Sequence, residues 1–183
     1  MKITEVKVWL VEGIKYNWTL LKIHTDTGHT GVGESTNWPG SPIIEAAHGA
    51  ESVTRVMALA HAQRHARLHP LTDGAQGVCV LQADRLLVPR HAYGVPIAPH
   101  NPNGPLSTLA SAHVCAGIPN FFRCEFMFND VPWRDAVITH PFDVREGYLH
   151  LSDRPGLGVD LVEEEMEKHP GIRSMREKEN FYI

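Results

Sequence analysis

The chain has 183 residues and a formal net charge of −4 at pH 7, with a mean hydropathy of −0.21, enough for one ordinary domain or two small ones. Hydrophobic residues at 43% and charged residues at 21% exclude wholesale disorder, no apolar run approaches the ~20 residues that span a bilayer, and a pI near 6.3 leaves no broad basic face for nucleic acid. The first residues mix charge among apolar side chains and offer no secretory core, and Cys79, Cys115 and Cys124 have no CxxC spacing, so they read as free thiols of a cytoplasmic protein.

Residues 3–11 predict a strand with Val6, Val8 and Leu10 on one face. A second strand, roughly Trp18 to Thr25, places Leu21 and Ile23 on one face and Lys22 and His24 nearer the other. Asp26-Thr27-Gly28 is a hairpin signal, and Thr30 to Ser35 a third strand whose Gly31 and Gly33 suggest close backbone approach. The opening is therefore an antiparallel three-stranded meander.

Ser41-Pro42 starts a helix through Ile43, Ile44 and Ala47 that either stops at Gly49 or runs on through Val53, Val56, Met57 and Ala60. Residues 52–72 then contain no Asp or Glu, but do contain Arg55, Arg64, Arg67 and three His. Val78–Leu81 reads as a short buried strand, and Leu86–Ala92 as a helical turn interrupted by Pro89. Val95–Ala98 is another short strand, followed by the rigid loop PHNPNGP at 99–105. Pro105 opens a helix with Leu106, Leu109, Ala110, His113 and Val114 on one stripe, ending at Gly117. Phe121–Phe126 predicts a strand with Glu125 near its end. A hairpin-like pair surrounds Gly147, residues 153–158 form a turn, and Asp160 with Glu163 reads as the N-cap and third-position pair of a short helix ending near His169.

The opening strands with TDTGHTGVGES resemble the capping domain of the enolase superfamily, in its mandelate racemase and muconate lactonizing branch. Residues 93–126, YGVPIAPHNPNGPLSTLASAHVCAGIPNFFRCEF, resemble the seventh and eighth barrel strands of acid-sugar dehydratases of the galactonate type. GYLHLSDRPGLGVDL, residues 147–161, resembles the tail that returns from barrel to cap. The resemblance implies an α+β fold: an antiparallel three-stranded capping domain (1–48), a divergent or deleted segment (49–77), a partial (β/α) barrel holding the last strands only (78–146), and a tail (147–183).

The family reaction removes the proton α to a carboxylate, holds the enediolate on Mg²⁺, and then loses water. By resemblance His100 is the acid/base at the end of the seventh strand, Asp84 orients it, and Glu125 contacts the substrate carboxylate or the enediolate. Trp18 and Trp38 lie in cap loops that close over the substrate. Read without the resemblance, His100 is an exposed loop histidine, Glu125 a solvated strand end, Asp84 a surface charge or helix cap, and the two tryptophans core or hinge residues. A histidine paired with a carboxylate keeps one tautomer and gains basicity, which suits proton transfer near neutral pH.

A whole (β/α)₈ barrel takes about 250 residues, and residues 49–183 hold at most about four βα units. The deficit falls where the family places its three Mg²⁺ carboxylates, so Mg²⁺ is expected from the family while its ligands are not found in this chain, and no metal ligand is assigned. The resulting expectation is an internally truncated relative of Mg²⁺-dependent acid-sugar dehydratases, inactive alone, with an acid-sugar carboxylate as the implied substrate. The alternative is a non-catalytic remnant whose open strand edges pair with a second copy or with a full-length relative, which predicts a homo-oligomer. A further alternative is a metal-binding module at His61, His65 and His69, at successive i, i+4 positions; a solvated polar face is the plainer reading of that row.

Overall fold

The computed structural model describes residues 2–14, 17–36 and 96–171, the last two of the second segment by backbone only. The helix expected after Ser41, the histidine row, the Val78–Leu81 strand and the Leu86–Ala92 turn lie outside the described residues.

Strands β1 (Ile3–Val11), β2 (Trp18–Thr25) and β3 (Thr30–Thr36) form the antiparallel meander in the order β1-β2-β3. The register sets Val8 opposite Leu21 and Val6 opposite Ile23, so these aliphatic residues share one face. The other face carries Trp9 opposite Leu20 and Val11 opposite Trp18. That second face meets the rest of the described chain, where Val11, Trp18 and Leu20 join the core with Leu106, Leu109, Val131, Val137, Ile138, Leu161 and Met166.

Helix α1 (Pro105–Gly117) lies against β3. Its buried residues are Pro105, Leu106, Thr108, Leu109, Ala112 and Cys115, so the buried stripe is rotated from the expected Ala110, His113 and Val114. Thr108 is the cause: its hydroxyl donates to the Gly104 carbonyl at 2.9 Å and accepts from the Asn101 amide at 3.0 Å, which lets a polar side chain occupy the core.

Among the described residues, which resume at 96, the two strands expected on either side of α1 meet in one parallel bridge between Ile97 and Phe121. The Ile97 N–H donates to the Asn120 carbonyl at 2.8 Å, and the Phe122 N–H to the Ile97 carbonyl at 2.9 Å. Pro96 and Pro99 flank Ile97 and have no N–H to extend the ladder. The parallel sense across an intervening helix is that of a βα unit.

The C-terminal part is a small hairpin, a turn and a short helix. Strands β4 (Asp143–Arg145) and β5 (Tyr148–His150) pair antiparallel around Glu146 and Gly147, whose φ angles of 53° and 80° make the two-residue left-handed turn that suits twisted hairpins. Helix α2 (Glu163–Lys168) begins after Val162 and has no side-chain cap. The expected cap, Asp160, instead accepts from the Leu161 N–H at 2.7 Å and from Lys22 Nζ at 2.8 Å, because cross-sheet charge pairing holds it away from the helix. Beyond α2 the chain returns to β1: Glu12 N–H donates to the His169 carbonyl at 3.0 Å, Gly171 N–H to the Leu10 carbonyl at 2.7 Å, and the Trp133 ring stacks on His169 with centroids 4.1 Å apart.

Candidate active site

The loop at 99–104 is held from inside. Asn101 and Asn103 are buried. The Asn101 amide donates to Thr108 Oγ1 and, at 3.3 Å, to the Glu125 carbonyl. Ser107 Oγ donates to Asn101 Oδ1 at 3.0 Å. With prolines at 99, 102 and 105 fixing φ, this loop has little freedom, and it carries His100.

His100 Nδ1 lies 2.6 Å from Glu125 Oε2. The same oxygen accepts the Asn101 backbone N–H at 2.6 Å. A neutral imidazole held this way donates Nδ1–H to the carboxylate, and Nε2 becomes the nitrogen with a lone pair. The imidazole is 62% exposed and the Glu125 side chain 39%, so the pair is open to a small molecule. Such a pair can take a proton at Nε2 while the carboxylate stabilises the imidazolium that forms.

A second carboxylate organises the far side of the loop. Glu34 Oε1 accepts the Gly104 N–H at 2.6 Å, and Oε2 accepts those of Leu106 and Ser107 at 3.1 and 3.0 Å. These are the orphan donors of the first turn of α1. Burial pushes the Glu34 carboxyl up to about 7, against the three N–H donors and Arg134, which pull it down. Gly104 makes the approach possible: a Cβ there would stand 2.7 Å from Trp18 Cγ and 2.8 Å from Glu34 Oε1. Sequence reasoning missed Glu34. The available signal was a carboxylate at the end of β3 on the same face as Val32, Leu20 and Trp18.

Trp18 is 3% exposed and sits below the Arg134 guanidinium, 4.8 Å from its ring centroid, so its ring has little surface to offer a substrate. Arg134 is itself buried and fixed by a bidentate pair with Asp130. Next to Glu125, the Cys124 sulfur meets the Cys115 thiol; both are free thiols, and their contact pushes Cys115 up and holds Cys124 below its usual range. Asp84, Trp38 and Cys79 lie outside the described residues.

Mg²⁺ requires several oxygen ligands in near-octahedral array. Among the described residues no group of three or more His, Cys, Asp or Glu is placed to surround an ion, and Glu125 Oε2 is committed to two donors. The described residues therefore do not fit Mg²⁺.

The family profile "Enolase C-terminal domain-like" matches residues 80–165. D-xylonate dehydratase of Haloferax volcanii is 32% identical over 77 residues, 42% of this chain and 19% of that protein. D-mannonate dehydratase of Caulobacter vibrioides is 41% identical over 70 residues, 38% of this chain and 17% of that protein. A D-galactonate dehydratase family member of Oceanicola granulosus is 37% identical over 78 residues, 39% of this chain and 19% of that protein. The chain thus spans about a fifth of the length of these curated relatives.

Among solved structures, a mandelate racemase/muconate lactonizing enzyme from Jannaschia sp. CCS1 superposes with a TM-score of 0.65 at 12% identity, covering 95% of this chain and 99% of that one. A Burkholderia xenovorans protein solved with magnesium and fumarate gives 0.73 at 14%, covering 98% and 99%. At these identities the likeness speaks for the fold alone. The match over residues 80–165, just under half of the chain, and the dehydratase relatives support a likeness to the enolase superfamily, in its mandelate racemase and muconate lactonizing branch. Within that branch it resembles galactonate-type dehydratases.

Proposed function

We propose that the chain carries the proton-transfer end of an acid-sugar dehydratase site and lacks, on its own, the carboxylates that hold the family's metal. The observation that carries this is the 2.6 Å contact between Nδ1 of the exposed His100 imidazole and Glu125 Oε2, on a rigid loop. His100 Nε2 takes the proton α to the substrate carboxylate, and Glu125 holds the imidazolium in place. The imidazolium then returns a proton to the departing β-hydroxyl, which leaves as water. Asp84 remains a proposed orienting residue by resemblance, and the substrate class rests on the relatives' names.

An α-proton beside a carboxylate is too weak an acid for imidazole alone, and in this family Mg²⁺ offsets the enediolate charge. Residues 52–72 contain no Asp or Glu, and no described cluster replaces them. Solvent-deuterium incorporation into a panel of aldonic and aldaric acids tests the proposal, with no exchange expected from the isolated chain with or without Mg²⁺.

A second reading, self-association, is favoured by the exposed aromatics Phe122, Phe128 and Tyr148, which are 59%, 63% and 73% exposed. In that reading a second copy covers the open side of the Ile97–Phe121 bridge.

A further inference from the structure

We propose that Glu34 is a positioning residue for His100: from the end of the three-stranded sheet it clamps the first turn of α1, and through Ser107 and Asn101 it sets the loop that brings the imidazole onto Glu125. This rests on reading His100 as the proton-transfer group.

Helix α1 has no side-chain cap of its own: its N-cap is Gly104, which has no side chain. An Asp, Ser or Asn at that position would satisfy the first turn from within the loop. Instead the acceptor comes from β3, some 70 residues away in sequence, and takes three backbone N–H groups at 2.6–3.1 Å. A local cap stabilises a helix wherever that helix lies. A cap supplied by another element also fixes where the helix stands relative to that element.

Ser107 links Glu34 to the loop: its N–H goes to Glu34, and its hydroxyl goes to Asn101 Oδ1 at 3.0 Å. Asn101 in turn sends its backbone N–H to Glu125 Oε2, the oxygen that meets His100. Sheet, helix, loop and His–Glu pair are therefore joined by consecutive hydrogen bonds, and Asn101 in the middle is 1% exposed. Moving the start of α1 by a few tenths of an ångström moves the acceptor geometry at His100.

The start of α1 also rests on a filled floor. Trp18 and Glu34 fill the space where a Cβ of residue 104 would lie, so the helix start is pressed against both and cannot slide along the sheet.

The test is the tautomer of His100 in the full chain, read from long-range ¹H–¹⁵N correlations of the imidazole at a pH that keeps it neutral. His100 is assigned by the signals lost in His100→Asn. The wild-type chain is expected to hold mainly the Nδ1–H form, because Glu125 accepts from Nδ1. Glu34→Gln and Ser107→Ala are each expected to lower that population roughly twofold or more, while Glu34→Asp retains more of it than Glu34→Gln. Met166→Ala, a core truncation on the helix that packs against β1 and outside the Glu34–Ser107–Asn101 chain of hydrogen bonds, is expected to leave it unchanged while the chain stays folded. Should Glu34→Gln fail to fold, Ser107→Ala decides alone, since it keeps every N–H donated to Glu34.

An unchanged tautomer in the folded variants, or an equal loss in Met166→Ala, overturns the proposal. The readout needs no turnover, so it stands or falls apart from the deuterium exchange that tests the proposed function.

Discussion

Lys7 and Lys22 stand directly opposite each other on β1 and β2, and each reaches a carboxylate of the C-terminal segment: Lys7 Nζ lies 2.9 Å from Glu163 Oε2 and Lys22 Nζ 2.8 Å from Asp160 Oδ2. Like charges at directly opposed positions destabilise a sheet. Here the tail neutralises both, so the repulsive pair becomes the place where the tail docks. Lys22 is the more enclosed of the two, at 12% exposure. Lys22→Ala is expected to lower stability by about 1–2 kcal/mol, and a double-mutant cycle with Asp160→Asn to show a coupling of about 1 kcal/mol. Lys7→Ala should cost less. Urea unfolding of the four chains of the cycle checks this, and additive effects would count against a docking role.

Gly104 is required by close approach, because its φ of −77° is open to any residue. Gly104→Ala puts a methyl group against Trp18 and the Glu34 carboxylate and is expected to cost about 2–3 kcal/mol. Gly31 has no atom within 4 Å of its would-be Cβ, so Gly31→Ala should stay within about 0.5 kcal/mol of wild type. Chemical denaturation of the two variants separates a packing requirement from a general intolerance of alanine.

Glu34 gives stability a pH dependence whose sign follows from its environment. Its carboxyl is raised from the ordinary 4.5 to about 7 in the folded chain. Between these values the folded state binds more protons than the unfolded one, so folding is most favoured below pH 4.5, weakens as pH rises to about 7, and is flat above. Arg134 is the cation that faces it. Other groups titrate too, Glu165 among them, with its carboxyl lowered by Lys168 and His169. The informative quantity is therefore the difference between wild type and Glu34→Gln. That difference should change on the order of 3 kcal/mol across pH 4.5–7. Parallel pH profiles for the two chains would contradict it.

The meander was legible because alternation and the Asp26-Thr27-Gly28 turn both act locally. Which face of it is core was not, since Val6, Val8, Leu21 and Ile23 make as good an apolar face as Trp9, Val11, Trp18 and Leu20. That choice is made by residues more than 100 positions away, such as Val137 and Leu161. Helix α1 was legible from Gly-Pro and its apolar spacing. Its exact rotation depended on Thr108 finding two partners, which no periodicity reveals. His100 and Glu125 came into view by resemblance, and their contact depends on how residue 97 meets residue 121. Glu34 showed only as a carboxylate on the apolar face of β3, and its role was missed because its partners are backbone N–H groups, which every sequence contains.

The exposed aromatic side chains, with one parallel bridge among the described residues where two strands were expected, are the basis for expecting association. At micromolar concentration the chain is expected to elute as a dimer or larger species, and Phe122→Ser with Phe128→Ser to shift it toward the monomer. Size-exclusion chromatography with light scattering measures this. A wild-type species of 20.4 kDa with cooperative unfolding would contradict it.

The central claim is that His100 and Glu125 form a proton-transfer pair that lacks its metal within this chain. Its most direct measurement is solvent-deuterium incorporation at the α-carbon of aldonic and aldaric acids, run with and without Mg²⁺ on the wild-type chain and on His100→Asn. The account predicts that the two chains coincide at background, with Mg²⁺ making no difference. Mg²⁺-dependent incorporation by the wild-type chain, abolished by His100→Asn, would contradict it and would mean that this chain holds a complete dehydratase site.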